Sequence, residues 1–300
     1  MISFLYYSFT AMKKTILTIL FIVGILNAMA QGDTISYWKK SGKAGLNVSQ
    51  SQLTNWAAGG QSAVNALGLF SYNLNYKKDK TMWNNSLDLA LGYSRLGAES
   101  LIKTDDRIEF NSLYGKKAIE NLYYGAAFSF KSQFVNGYDY KVDSSTPISG
   151  FLAPAYITLG LGMDYKPNKY ISFNYSPLTG RLTIVKMKSL SDAGGFGVEP
   201  GNTTRFELGS KAWIKIEKEI LQNVVFSSKF EAFSDYLKNP ECIDIDWQTG
   251  IAMKVNKWLS TNLTTHLIYD DDVMITDSKG KKGPRTQFKE VLSVGISVLF

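Results

Sequence analysis

The sequence contains very little cysteine and histidine. Cys242 and His266 are the only residues of their types in the 300-residue chain. One cysteine cannot form an internal disulfide, and a zinc site built from cysteine and histidine needs three or four ligands. These two counts exclude an internal disulfide framework and a structural zinc site of that kind, and we expect no cofactor.

Long hydrophobic runs are also missing after the N-terminal region. From Met12 the sequence reads MKKTILTILFIVGILNAMAQGD, with two lysines, an apolar core and Ala28-Met29-Ala30. This pattern predicts a secretory signal peptide over residues 1–30, with the true start at Met12. The apolar core of about a dozen residues is shorter than the ~20 that a spanning helix needs. The exported chain is therefore either soluble or crosses a membrane with strands.

Positive charge is not concentrated in any one stretch. The formal charge is +7, but lysine and arginine alternate with aspartate and glutamate along the chain. A nucleic-acid-binding surface normally has its basic residues clustered on one face or stripe. We expect no nucleic-acid partner.

Aromatic residues are abundant, and the hydrophobic pattern has a period of two. The chain has 17 Phe, 17 Tyr and 6 Trp. In segment after segment large apolar residues alternate with polar or small ones, which predicts antiparallel strands. We expect about twelve strands, over residues 43–53, 63–76, 82–95, 107–116, 121–135, 151–165, 170–185, 203–217, 224–236, 243–255, 258–269 and 286–300. Many are longer than the ~9 to 11 residues needed to cross a bilayer at a tilt.

The predicted connections alternate between short and long. The short ones fall at 77–80, 117–120, 166–169, 218–223 and 256–257, and the longer ones at 97–106, 136–150, 186–202 and 270–285. Outer-membrane barrels have short periplasmic turns and long external loops. The sequence therefore predicts an all-β, up-and-down transmembrane barrel over residues 43–300, preceded by a short periplasmic segment at 31–42.

The last predicted strand carries an apolar face that ends at Phe300. Leu292, Val294, Ile296 and Val298 share that face. A terminal aromatic residue on the outward face is similar to the signal by which the barrel-assembly machinery recognises its clients. A soluble sandwich would leave this edge unprotected, which soluble proteins avoid. We expect the assembly machinery, outer-membrane lipid and lipopolysaccharide as partners, and the bacterial outer membrane as the location.

Five short stretches resemble an exported family of Gram-negative bacteria, domain of unknown function 3078. They appear in one order and together cover nearly all of the mature chain: Leu53 to Gly60, Ser176 to Gly180, Phe233 to Leu237, Leu267 to Asp272 and Gln287 to Glu290. The resemblance implies an outer-membrane barrel without an assigned biochemical role. It implies no catalytic residues.

His266 is the first candidate for chemistry. On its strand it shares a face with Asn262 and Thr264, and a hydrolase would also need a nucleophile within hydrogen-bond reach of the imidazole. The sequence has no Gly-x-Ser-x-Gly elbow. We favour a polar residue facing the lumen over a catalytic base, and we expect no enzymatic activity.

Two predicted external loops carry candidate binding residues. Asp270, Asp271 and Asp272, with Asp277 nearby, could bind calcium through oxygen ligands, although an acidic solvated turn accounts for them as well. Trp56 stands beside Gly59 and Gly60, where it could form a stacking platform or anchor a tight turn in the interface belt. Both alternatives stay open in each loop.

The inward face of the barrel is the main candidate for function. Strand parity places charged residues of both signs on it, and these could line an open channel or close the lumen by pairing with one another. Passage of small polar solutes is the first hypothesis, a structural or surface-interaction barrel binding through its loops is the alternative, and an outer-membrane hydrolase is the third. The candidate lining residues are Arg107, Glu109, Lys131, Arg205, Glu207, Lys211, Lys215, Lys229, Glu231, Asp235, Asp244, Asp246 and His266.

Overall fold

The computed structural model describes residues 36–52, 61–140, 142–276 and 280–300. The signal peptide predicted over residues 1–30 lies outside the described residues. Trp56 and Asp277, two of the predicted loop residues, lie outside them too.

Long strands dominate the described part of the chain. In chain order its elements are β1 (Trp38–Ser51), β2 (Ala63–Lys78), β3 (Thr81–Leu96), β4 (Ile102–Ile119), β5 (Leu122–Ser132), β6 (Gly137–Asp139), β7 (Asp143–Ser149), β8 (Ala155–Tyr165), β9 (Ile171–Ile184), a short helix α1 (Lys188–Asp192), a 3-10 turn (Gly195–Gly197), β10 (Thr204–Leu221), β11 (Val224–Asp235), β12 (Ile243–Lys254), β13 (Leu259–Tyr269), β14 (Met274–Thr276), β15 (Lys282–Pro284) and β16 (Gln287–Leu299).

Twelve of these strands form one closed barrel. Its order is β1-β16-β13-β12-β11-β10-β9-β8-β5-β4-β3-β2, and each strand pairs with its neighbour antiparallel. The first and last strands close the ring, with Lys43 opposite Leu299 and Asn47 opposite Gly295. Closure leaves no unpaired strand edge. The predicted all-β architecture and the count of twelve barrel strands are confirmed.

The two ends of the barrel differ in their connections. At one end, called here the short-turn end, tight turns place Asp79, Asn121 and Asn223 at positive φ of 50°, 63° and 63°. Aspartate and asparagine tolerate this left-handed conformation better than other side chains, which suits them to such turns. The opposite end, called the long-loop end, carries connections 133–154, 185–203 and 270–286. Because β4 already begins at Ile102, connection 97–101 is shorter than predicted.

The long loops contain structure that the period-two pattern did not indicate. Strands β6 and β7 form one small hairpin and β14 and β15 a second, both separate from the barrel sheet. A further difference lies at the N-terminal side, because β1 begins at Trp38 and residues 38–42 therefore belong to the first barrel strand.

A small apolar core joins two connections at the long-loop end. Ala153, Val185 and Val198 are buried together, and Met187, Leu190 and Phe196 pack against them. All six belong to connections 133–154 and 185–203. Their contacts hold the two connections together.

The outer surface of the barrel is apolar. Leu159, Leu161 and Met163 on β8 are each more than half exposed, and so are the four alternate residues from Leu292 to Val298 on β16. None of the helices in the described residues is both long and apolar enough to span a bilayer.

Candidate functional site

A polar cavity of about 640 Å³ lies inside the barrel. Every barrel strand contributes to its lining, for example Ser71 and Asn73 on β2 and Arg107, Glu109 and Asn111 on β4. Twenty of the 44 lining residues carry a hydroxyl or an amide. The inward face is therefore suited to hydrogen bonding with water or a polar solute.

A cluster of six charged residues, called here the central ion-pair cluster, borders this cavity. Its members are Glu109, Lys131, Lys211, Lys229, Glu231 and Asp246. Glu231 occupies its centre, since the Nζ atoms of three lysines lie 2.6 to 3.0 Å from its carboxylate oxygens. Three lysines and three acids balance one another's charge.

Several of these ion pairs cross the lumen from wall to wall. Lys131 Nζ on β5 lies 2.8 Å from Asp246 Oδ2 on β12, and Lys229 Nζ on β11 lies 3.0 Å from Glu109 Oε1 on β4. In each case four strands separate the partners along the shorter way around the twelve-stranded ring. The cluster therefore joins opposite walls and narrows the lumen at this level.

A second cluster, called the outer ion-pair cluster, lies nearer the long-loop end. It consists of Arg181, Arg205, Glu207, Asp244 and Asp272. Glu207, whose side chain is 2% exposed, accepts hydrogen bonds from Arg181 and forms an ion pair with Arg205. Arg181 also pairs with Asp244 and stacks on Phe233, with its guanidinium carbon 4.1 Å from the ring centroid. Asp272 ties the connection after β13 to Arg205.

Arg181 is a lumen residue that the sequence analysis missed, and a β-bulge explains why. In β9 Asn174 and Ser176 face the cavity, as does Thr179, whereas Pro177 and Leu178 are both exposed outside. The pairing register shifts at this point against both neighbouring strands. A bulge adds one residue and so reverses the parity of everything after it. Strict alternation therefore places Arg181 on the wrong face.

The structure places the charged residues predicted for the inward face as follows. Those lining the cavity are Arg107, Glu109, Lys211, Lys215, Lys229, Glu231 and His266. Lys131 and Asp246 complete the central ion-pair cluster, and Arg205, Glu207 and Asp244 belong to the outer one. Asp235 lines a small pocket beside Arg181 and Glu207 at the long-loop end. Two further lining residues, Lys289 and Asp105, form a cross-lumen pair of 2.8 Å that was not predicted.

His266 contacts an acid and no nucleophile. Its Nε2 lies 2.8 Å from Asp246 Oδ1, and Lys131 holds the other carboxylate oxygen of Asp246. Within the described ranges no serine, threonine or cysteine side chain hydrogen-bonds to the imidazole. This geometry fits a lumen-facing polar residue that extends the central ion-pair cluster. The absence of enzymatic activity stays a prediction.

The three aspartates of the acidic loop, Asp270 to Asp272, lie in two different environments. Carboxylate oxygens of Asp244, Asp270 and Asp271 lie within 4.8 Å of one another, whereas Asp272 pairs with Arg205 and Lys238. Burial raises the pKa of Asp270. Burial also acts on Asp272, but its pairs with Arg205 and Lys238 outweigh it and hold the pKa of that carboxyl below its usual value. Calcium binding at this loop stays a prediction.

Several solved structures are similar to this chain. The translocator domain of the autotransporter NalP from Neisseria meningitidis is 12% identical, with 96% of each chain covered and a TM-score of 0.36. An outer membrane channel from Pseudomonas putida F1 is 8% identical, with 90% of this chain and 100% of that chain covered and a TM-score of 0.40. The P. putida toluene transporter TodX is 9% identical, with 88% and 97% covered and a TM-score of 0.30.

A comparison of sequences matches only part of the chain. No curated protein matches the sequence. The model of a family described as "Protein of unknown function (DUF3078)" matches residues 48–138, from the end of β1 to β6, and this match confirms the predicted resemblance to that family.

Proposed function

We propose that the protein spans the bacterial outer membrane as a barrel. The apolar outer surface supports this placement: Phe206, Leu159 and Leu292 are 61%, 55% and 67% exposed although all three are large and hydrophobic. Water-soluble proteins rarely expose a continuous apolar surface of this extent. A closed sheet satisfies every backbone hydrogen bond internally, so it can present that surface to lipid.

Exposed aromatic side chains at both ends of the strands support the same placement. Near the short-turn end they are Trp83, Tyr114, Tyr124, Tyr165, Tyr170, Phe173, Tyr175 and Trp258, and near the long-loop end Phe134, Phe206, Tyr236, Trp247 and Phe288. Transmembrane barrels carry aromatic girdles at both membrane interfaces, with an apolar band between them. Lipid and lipopolysaccharide would contact this band, and the assembly machinery would contact β16.

We further propose that the lumen admits small polar solutes from the short-turn end and passes them selectively. The cavity carries this proposal. It opens at that end, where Lys215 and Glu217 line it with side chains 50% and 57% exposed. It narrows at the central ion-pair cluster, which is held by non-covalent pairs and so can rearrange. A charged constriction in a narrow lumen sets the electrostatic barrier that a permeant solute meets.

A closed barrel that acts through its surface is the second candidate. The wall-to-wall pairs Lys131–Asp246 and Lys229–Glu109 favour it, because they cross the lumen. In that case the lumen charges serve stability alone, and the long loops carry the function.

Fractionation and solute flux test the two proposals separately. The mature protein should copurify with outer membranes, and recovery as a soluble periplasmic monomer would contradict the membrane placement. Liposomes containing the purified protein should swell in solutions of small polar solutes such as glycine, and more slowly as solute size rises. Liposomes that contain folded protein and do not swell would overturn selective passage and support the closed barrel.

A further inference from the structure

Arg107 is a charged side chain of the lumen that the two ion-pair clusters do not use. It lies on the inward side of β4, between Asp105 and Glu109, and it lines the cavity. On the neighbouring strand β3 it stands opposite Ala90, a small residue without a polar side chain. The residue directly opposite therefore offers no counter-charge, and Asp88, two residues along β3, accepts its hydrogen bond from Ser71.

Both acids beside Arg107 are already paired with other cations. Asp105 Oδ1 lies 2.8 Å from Lys289 Nζ, and Glu109 Oε1 lies 3.0 Å from Lys229 Nζ. Glu109 also accepts a hydrogen bond of 3.1 Å from Asn111. In the part of the chain that the structure describes, Arg107 forms no ion pair and no hydrogen bond, and its Nε is buried without an acceptor.

The net charge of the cavity lining also indicates an unpaired cation. Its lining holds an excess of one positive charge, from Lys43, Arg107, Lys211, Lys215, Lys229 and Lys289 against Asp88, Asp105, Glu109, Glu217 and Glu231. Four of the lysines pair with four of the acids. The fifth acid, Asp88, accepts a hydrogen bond from Ser71, which stands beside Lys43 in the sheet. Within the described residues Lys43 and Arg107 are the two lining cations that form no ion pair, and of these two only Arg107 has a buried nitrogen without an acceptor.

A partly buried guanidinium without a partner is costly, since burial removes hydration that no protein group replaces. An anion from solution would supply the missing charge. Guanidinium has five donors in a planar fork that matches the geometry of carboxylate and phosphate oxygens. The cavity around it offers hydroxyls and amides to the rest of such a solute.

We propose that Arg107 anchors a small solute bearing a carboxylate or phosphate group inside the cavity. This inference rests on the proposed passage of polar solutes and names their chemical class. The oxyanion of the solute pairs with the Arg107 guanidinium, and the hydroxyls and amides of the cavity contact the rest of the solute.

Calorimetric titration of the purified full-length protein in detergent with inorganic phosphate, and separately with acetate, tests the proposal. Arg107→Gln should weaken binding at least tenfold, which is about 1.4 kcal/mol. Arg107→Lys keeps the charge but loses the fork, so its affinity should fall between those of the wild type and Arg107→Gln. As a control, Lys188→Gln removes one positive charge from a lysine outside this cavity, where Lys188 is paired with Asp192, and should change binding less than twofold.

The folded state of each variant is verified by the gel shift between heated and unheated samples. If Arg107→Gln does not fold, Arg107→Lys with its retained charge decides the question. Equal affinity of wild type and Arg107→Gln, or the absence of phosphate and acetate binding by folded wild type, would overturn the proposal. Binding at Arg107 without liposome swelling would overturn passage alone, and swelling without binding at Arg107 would overturn this inference alone.

Discussion

Substituting Glu231 by glutamine should destabilise the barrel by about 3 kcal/mol. The substitution keeps the shape of the side chain and removes its charge, so Lys131, Lys211 and Lys229 are left with the carboxylates of Glu109 and Asp246 only. Removing one partner of a buried ion pair costs about 3 to 5 kcal/mol. The Glu231 side chain is 8% exposed but its lysine partners reach 24%, which favours the lower end of that range.

Equilibrium unfolding in urea, with the protein reconstituted in lipid vesicles, measures this free energy. Glu217→Gln is the matched control because Glu217 also lines the cavity and pairs with a lysine, but it is 57% exposed. Exposed pairs contribute about 0 to 1 kcal/mol, so this variant should unfold like the wild type. If the free energy of unfolding of Glu231→Gln lies within about 1 kcal/mol of the wild-type value, the central ion-pair cluster does not stabilise the barrel as argued.

Three further predictions concern the faces, the strands and the loops. Val294→Arg puts a charge on the lipid face and should destabilise the membrane-inserted barrel by about 2 to 4 kcal/mol. Ser293→Arg puts the same charge on the lumen face, so this variant should assemble like the wild type. The heat-dependent gel shift measures assembly, and equal assembly of the two variants would refute the assignment of these residues to the two faces. Gly162→Ala should impair folding because its added Cβ would overlap backbone atoms of β9, while Gly283→Ala meets nothing within 4 Å and should fold normally. Val198→Asp should expose the 185–203 connection to trypsin, and unchanged cleavage rates would argue against the apolar core as the element that holds it.

The barrel strands could be predicted from the sequence because their alternation is strict. A strand with lipid on one side and a polar lumen on the other must repeat every two residues, so segments such as 224–236 match β11 (Val224–Asp235) closely. The hairpin of β6 and β7 and the helix α1 were missed because neither faces lipid. Their short segments show no sustained period.

The lumen residues could be predicted as a set but not as partners. Parity identified Glu109 and Lys229 as inward-facing, yet nothing in a linear sequence indicates that β4 faces β11 across the lumen. The bulge at Pro177–Leu178 removed Arg181 from the predicted set. Arg107 lacks an ion-pair partner because Lys289 and Lys229 pair with the acids beside it, Asp105 and Glu109. These pairs form between distant strands, so they arise only when the barrel closes.

Single-channel recording in planar bilayers tests selective passage most directly. The wild-type protein should show a small conductance, limited by the pairs that cross the lumen at the central ion-pair cluster. Glu231→Gln should conduct more and shift the reversal potential towards anions, because the cluster then carries an excess positive charge. Folded protein that shows no conductance in either form would contradict passage through the lumen.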